Sequence, residues 1–263
     1  MQQKRWTFNP KSETSTAELE EKLGLSKELV ELLHQREVTT FEEAQTFFRP
    51  QMSHIHDPLL MKDMDKAVDR VFEAFEKEEK ILVYGDYDVD GTTAVSLMYT
   101  FLIKHYKNVE FYIPDRYTEG YGVSYQGIDY AADNDFKLII ALDCGIKAID
   151  KVAHATKRGV DFIICDHHRP GDELPKAVAV LDPKRKDCEY PYKELCGCGV
   201  GFKLIQALNQ ELGFEFDDLE EYFDLLVVSI GSDIVPVTGE NRVLAYFGLM
   251  KINHSPRKGI AEI

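Results

Sequence analysis

Val83–Ala94 reads VYGDYDVDGTTA; together with Ile81 and Leu82 before it, the stretch runs from an aliphatic segment through a glycine into helix-forming sequence. Aspartates fall at every second position across that break: Asp86, Asp88 and Asp90. A short β-branched run that ends in a turn and passes into a helix is the opening of a strand-helix unit. Carboxylates spaced this closely repel one another, so the folded chain must hold something that makes them tolerable.

The same alternation continues downstream. ILVYG, VEFYI, KLIIAL, VDFIIC and AVAVL are separated by helical segments, which predicts an α/β fold: a parallel five-stranded sheet with helices on both faces. Upstream, TAELEEKLGL, KELVELLHQR and TFEEAQTFF carry helical spacing, and a polar stretch, RPQMSHIHDP, follows them. The expected organisation is a helical N-terminal extension over residues 1–60 and the main domain over residues 61–263. The domain begins with an amphipathic helix, MDKAVDRVFEAFEKEEK, whose Val68, Val71, Phe72 and Phe75 share one face.

Composition narrows the function classes. The chain of 263 residues is 44% hydrophobic, enough for a sizeable core. It lacks an apolar run of the roughly 20 residues needed to cross a bilayer, and MQQKRWTFNPKSE lacks the apolar centre of a signal peptide. No membrane partner and a cytoplasmic location are the expectation. The cysteines, Cys144, Cys165, Cys188, Cys196 and Cys198, contain no Cys-x-x-Cys pair and read as reduced structural residues. A net charge of −15 argues against a surface coated for nucleic acid. A carboxylate-rich cation site is compatible with that charge.

The predicted strands end at or near Asp86, Asp115, Asp143, Asp166 and Asp182. In an open parallel sheet those ends line one edge, where such folds place their ligands. Asp115 and Asp182 each adjoin a proline and read as turn residues. CDHHRPGD, Cys165–Asp172, is different, because adjacent histidines in extended chain point in opposite directions and can reach different groups in a cleft. Mixed Asp and His donors suit a transition metal or Mn²⁺. His34, His54, His56, His105, His154 and His254 have no such company and read as surface or capping residues.

Weaker features are Gly91 and Thr92, whose amides open a helix that can face phosphate, and GCGVGFK, which reads equally well as tight helix-sheet packing. Arg116 reads as a DNA-backbone contact or as a solvated residue. For the cluster Lys184, Arg185 and Lys186 a solvated loop is the preferred reading over contact with DNA. Tyr117, Tyr121 and Tyr125 read as base-stacking or core residues.

GDYDVDGTTA, ALDCG, CDHH and SIGSDIVP stand in the order of the four motifs of the DHH phosphoesterase superfamily. Nearly the whole chain resembles its RecJ family of bacterial single-strand-specific 5′ to 3′ DNA exonucleases, including IPDRYTEGYGVS, LDPKRKDCEYPYKELCGCGVGFKL and DIVPVTGENR, which extend beyond the metal motifs. The resemblance implies two divalent cations, Mn²⁺ or Mg²⁺, bound by Asp86, Asp88, Asp90, Asp143, His167 and Asp233. By the same resemblance Asp143 bridges them, His168 donates to the scissile phosphate, and Asp166 orients the ligands from behind. Asp86 departs from the histidine that many members carry there. The implied substrate is single-stranded DNA with a 5′ end, in DNA repair and recombination. Repair and recombination proteins are the implied partners, and no oligomer is expected.

The resemblance also implies a second conserved domain and an oligonucleotide-binding fold, neither of which is seen in this sequence, so the chain reads as an N-terminal catalytic piece. Phosphodiesterases for short oligonucleotides or cyclic dinucleotides remain an alternative enzyme reading. A metal-free replication scaffold is the alternative of another class; it predicts eroded ligands, and none is missing.

Overall fold

The computed structural model describes residue 5 and residues 17–263. The chain divides into two compact units, one ending at Met52 and one spanning Ser53–Ile263. In the first, α1 (Ala17–Leu23), α2 (Lys27–His34) and α3 (Phe41–Phe48) enclose Leu19, Val30, Leu33, Val38 and Ala44. Helix α3 starts at a reciprocal cap: the Thr40 side chain accepts the Glu43 amide while the Glu43 carboxylate accepts the Thr40 amide. His34 is buried in this unit, which corrects its reading as a surface residue: it closes α2 on the apolar side of a one-sided helix.

The second unit is built on β1 (Lys80–Gly85), β2 (Val109–Tyr112), β3 (Phe136–Leu142), β4 (Asp161–Cys165) and β5 (Ala179–Leu181), all parallel, in the order β2-β1-β3-β4-β5. The predicted strands are therefore present. Helices α4 (Met64–Glu76), α5 (Val89–His105) and α8 (Gly197–Glu211) cover one face, and α6 (Tyr125–Asp133) and α7 (Ile149–Lys157) the other. Strand side chains alternate between these layers. Leu82, Tyr84, Ile139, Ala141, Phe162 and Ile164 join the α6-α7 core, and their neighbours Ile81, Val83, Leu138, Ile140 and Ile163 are buried too. A sheet covered on both sides needs near-continuous apolar strands, which is why these segments read as unbroken runs.

Helices α9 (Phe223–Ser232) and α10 (Gly239–His254) pack on each other, and α9 also packs on α5; a short α11 (Lys258–Ala261) follows. Among the described residues no helix is long and apolar enough to cross a membrane. Two buried ion pairs tie the layers together. Lys203 of α8 donates to Glu240 of α10, to Gln206 and to the His56 carbonyl, with both charged side chains fully buried. Glu240 also accepts the His56 amide and the Tyr190 hydroxyl, so the segment before α4 is fastened to α8 and α10.

Arg185 makes the other pair, and here the structure corrects the sequence reading. Its guanidinium is buried; it donates to the Val180 carbonyl, to Asp63 at the start of α4 and to Asp187. It is a strut between β5 and α4, buried and fully engaged, and offers no exposed guanidinium to a DNA backbone. Lys184 is half-buried and paired with Glu194 at 3.3 Å, which leaves Lys186 as the exposed member of the cluster. Removing one partner of a buried pair leaves the other charge uncompensated, so Arg185→Ala should lower unfolding stability by about 3 kcal/mol. Urea titration checks this, and an unchanged midpoint would refute the strut.

Candidate metal centre

The three aspartates of the first motif occupy three different backbone positions. Asp86 directly follows β1, Asp88 is the N-cap of α5, and Asp90 lies in the first turn of that helix. Asp86 is fully buried, and its oxygens accept the amides of Tyr87 and Gly122. Asp88 accepts the Gly91 amide at 2.9 Å, and its carbonyl accepts the Thr92 amide. The Gly91 amide is thus taken by the cap, which corrects its reading as a free phosphate donor. Glycine is required at 91 for space: a Cβ there would stand 2.5 Å from the Asp86 carbonyl oxygen.

Asp90 points inward to the N-terminus of α8. Its Oδ2 accepts Gly197 N–H and its Oδ1 accepts Cys198 N–H, both at 2.7 Å. These are amides of the first turn of α8, whose free donors and positive dipole end favour a carboxylate. GCGVGFK therefore turns its amides on a protein carboxylate. Cys196 is the N-cap and accepts the Gly199 amide through Sγ. All five cysteines are buried and unpaired.

Strand order reverses between β1 and β3, and the crevice at such a switch point is where Asp86 and Asp143 emerge. Asp143 follows β3 with φ +59°, left-handed backbone that costs energy for a residue with a Cβ but is tolerated best by Asp and Asn. A Cβ at Gly197 would meet the Asp143 Oδ1 at 2.5 Å, so the bare glycine makes room for this carboxylate.

His167, after β4, brings the cluster together. Its Nε2 lies 3.2 Å from Asp143 Oδ1, 3.6 Å from Asp233 Oδ2 and 3.7 Å from Asp90 Oδ2. Asp233 is the C-cap of α9, where the helix dipole is unfavourable to an anion. Asp90, His167 and Asp233 form one possible ligand set, and Asp143, His167 and His168 another. Asp86 and Asp88 belong to neither, though Asp88 adds its charge to the environment of both Asp86 and Asp143.

Asp166 supports the histidines from behind. It is buried, accepts the amides of Ile146, His167 and His168, and is 2.7 Å from His168 Nδ1. Burial opposes its ionisation, but the His168 hydrogen bond and these amides hold the carboxyl below its usual range. The same bond raises His168. Asp143 shows the opposite balance. Burial, then the Asp90, Asp88 and Asp166 charges, push it up to about 10. Burial raises Asp86 and Asp233 as well.

Mixed carboxylate and imidazole donors fit Mn²⁺, and the carboxylates among them suit Mg²⁺ as well. Among the described residues, Asp143 Oδ1 and His167 Nδ1 are buried without a hydrogen-bond partner. An anion so held needs a cation to balance it. Beside the cluster, a cavity of about 320 Å³ is lined by Tyr121, Val123, Ile146, Lys147, Lys151 and His168, among others. Arg116 is exposed and lies over the Tyr87 ring at 4.5 Å, and Tyr87 meets Tyr121 edge to face. Tyr117, Tyr121 and Tyr125 are all exposed, which excludes the core reading.

A family model described as "DHH family, N-terminal domain" matches residues 80–230. The chain belongs to the DHH family. It is 40% identical, over 98% of its length, to the single-stranded-DNA-specific exonuclease RecJ of Bacillus subtilis, of which it covers 32%. A crystal structure of exonuclease RecJ bound to manganese matches with TM-score 0.71 and 31% identity, over 80% of this chain and 52% of that one. RecJ from Thermus thermophilus in complex with Mn²⁺ matches with TM-score 0.76 and 26% identity, over 94% and 34%. The chain spans about a third of the length of the curated relatives it matches.

Within this DHH domain, sequence reasoning missed Gly197, Cys198 and Ser229 as supports of Asp90, and Asp182 as a buried neighbour of the cluster. The glycine-rich opening of α8 was the one signal for the first two; Ser229 stands first in the motif SIGSDIVP, and Asp182 was one of the strand-end aspartates but read as a turn residue beside its proline. Asp115 closes a turn by accepting the amides of Tyr117 and Thr118. Asp182 accepts the Lys184 amide through Oδ1, but its Oδ2 is buried without a partner among the described residues.

Burial pushes the Asp182 carboxyl from 3.8 up to about 7. A carboxyl raised in the folded state contributes stability that is fully present below the unfolded value and is lost as pH rises through the folded one. In chelator, Asp182→Asn should therefore raise Tm above that of the parent chain at pH 8 and much less at pH 5. An equal shift at both pH values would show that ionisation of Asp182 is not the cause.

Proposed function

We propose that this chain carries the catalytic centre of a metal-dependent, single-strand-specific 5′ to 3′ DNA exonuclease, a hydrolase of phosphodiester bonds. The observation that carries the reading is the convergence of Asp90, Asp143 and Asp233 on His167 Nε2 with His168 alongside. The activity of the relatives, single-stranded-DNA-specific exonucleases, supports the substrate class. The metals of the solved RecJ structures, Mn²⁺ in two and Mg²⁺ in a third, support the cofactor.

Two divalent cations, Mn²⁺ or Mg²⁺, would be held by Asp90, Asp143, His167 and Asp233, with Asp86 and Asp88 completing the first-motif side. Bound there, the ions supply activation of the attacking water and neutralisation of phosphate charge. The chain's own residues set the geometry. Asp143 belongs to the set with His167 and His168 and lies 3.2 Å from the Nε2 of His167, the residue that both sets share, so it would be the bridging group for two ions. Asp166 holds the His168 ring by Nδ1, which leaves Nε2 for the cavity; because His168 is raised, its donor-bearing protonated form persists to higher pH and donates to a phosphate oxygen. The cavity beside His168 has room for a terminal nucleotide, with Lys147 and Lys151 in its wall. Tyr121 lines it and is suited to a base, and Arg116, joined to Tyr121 through the Tyr87 ring, is suited to a phosphate.

A 5′-phosphorylated single strand carrying a 3′ label tests the reading. Asp143→Ala should abolish Mn²⁺-dependent release of mononucleotides from the 5′ end while Tm in chelator is kept; cleavage near the parental rate would overturn the assignment. The two histidines should separate. His167→Ala should lose Mn²⁺ in calorimetric titration. His168→Ala should bind Mn²⁺ close to normally and turn over about 100-fold more slowly. Equal loss of metal in both variants would assign His168 as a ligand instead.

A further inference from the structure

We propose that Ser229 is a positioning residue of the metal centre, whose hydroxyl fixes the Asp90 carboxylate so that one chosen oxygen faces the cation. The inference rests on the metal-centre reading above and concerns a residue outside the ligand set.

Helix α9 is an apolar helix, FDLLVVSIGS, and within it Ser229 is fully buried. A hydroxyl in such a place must find a partner. Its Oγ stands 2.6 Å from Asp90 Oδ1 and 3.0 Å from Cys196 Sγ. The hydroxyl has a single proton, and a carboxylate is a far stronger acceptor than a sulfur, so the proton belongs to Asp90.

The consequence is an asymmetric carboxylate. Oδ1 accepts two donors, Cys198 N–H and the Ser229 hydroxyl, whereas Oδ2 accepts Gly197 N–H alone. It is Oδ2 that faces His167 Nε2 and the rest of the donor cluster. Amides from α8 alone give each oxygen one partner and hold the two alike. Ser229 adds the third donor from a different helix, turns Oδ1 away from the cation and leaves the free lone pair of Oδ2 toward it. The same helix carries Asp233 four residues on, one turn away, and the Asp233 amide donates to the Ser229 carbonyl. One turn of α9 thus supplies a ligand at its end and the orienting donor for a second ligand on α5. Hydrogen bonds behind a metal ligand of this kind typically change metal affinity about 10- to 100-fold.

A purely structural role for Ser229, joining α9 to α5, predicts a change in folding stability and none in the metal site. The test is Mn²⁺ titration of the 263-residue chain by electron paramagnetic resonance, with Tm in chelator measured alongside. Ser229→Ala, and the nearly isosteric Ser229→Cys, which keeps the shape but offers a weak donor, should both raise the Mn²⁺ Kd about tenfold or more. The bound-ion spectrum should change with them. Ser229→Thr, which keeps the hydroxyl, should restore affinity and spectrum. If Ser229→Ala does not fold, Ser229→Cys decides by the same criterion. Parental affinity and spectrum in the folded variants would overturn the proposal, as would equal loss in the Thr variant. A parent chain that binds no Mn²⁺ would instead sink the functional reading, so the two failures are distinguishable.

Discussion

The contact on which the rest of the site depends is the seating of Asp90 on the N-terminus of α8. The amides of Gly197 and Cys198 meet a carboxylate from α5, and the missing Cβ at Gly197 lets the Asp143 carboxylate stand against the same turn. Two anions from different parts of the sheet edge are thereby brought to one helix end. The helix supplies partial positive charge and unpaired donors where like charges crowd. A side chain at residue 197 would push Asp143 aside, and without the amides Asp90 would be a buried charge short of partners.

Strand order then fixes what surrounds this contact. Because β1 and β3 are neighbours while the chain departs from them in opposite directions, Asp86 and Asp143 emerge side by side at the crevice, and β4 delivers His167 next to them. The strained backbone of Asp143 is tolerable in this setting: its amide is bonded to the Cys165 carbonyl, so its left-handed turn is held from β4 rather than by its own loop. Asp166 divides its oxygens between the Ile146 amide of the β3 loop and the His167-His168 turn. The loops after β3 and β4 are therefore one hydrogen-bonded piece.

Much of the fold was legible because both faces of the sheet are covered, which turns each strand into an apolar run that sequence displays directly. The candidate ligands were legible for a related reason: most fall at the end of such a run or on the next turn. What escaped depended on contacts distant in sequence. Nothing in LDPKRKDC says that Arg185 turns inward, since its partners are a carbonyl on β5 and Asp63 far upstream. Gly91 reads as an anion-binding glycine until the Asp88 cap is seen to occupy its amide. Ser229 stands first in SIGSDIVP, but which group its hydroxyl meets appears only once α9 is laid against α5. His34 looks isolated in sequence because its burial comes from the three-helix packing of the first unit.

The alternation Asp86, Asp88, Asp90 now has a physical account in which the residues are not equivalent. One is satisfied by loop amides, one caps the helix it precedes, and one caps another helix altogether. Backbone donors thus relieve part of the repulsion before any cation is considered. The remainder falls on Asp143, which among the described residues has no hydrogen bond to its buried Oδ1 and is the carboxyl driven furthest from its ordinary value in the cluster. Folding has thus concentrated the unrelieved repulsion on a carboxyl that stands 3.2 Å from His167, the residue that the two possible ligand sets share. A divalent ion bound there would make ionisation of this carboxyl favourable, so that ion binding would be coupled to proton release at Asp143.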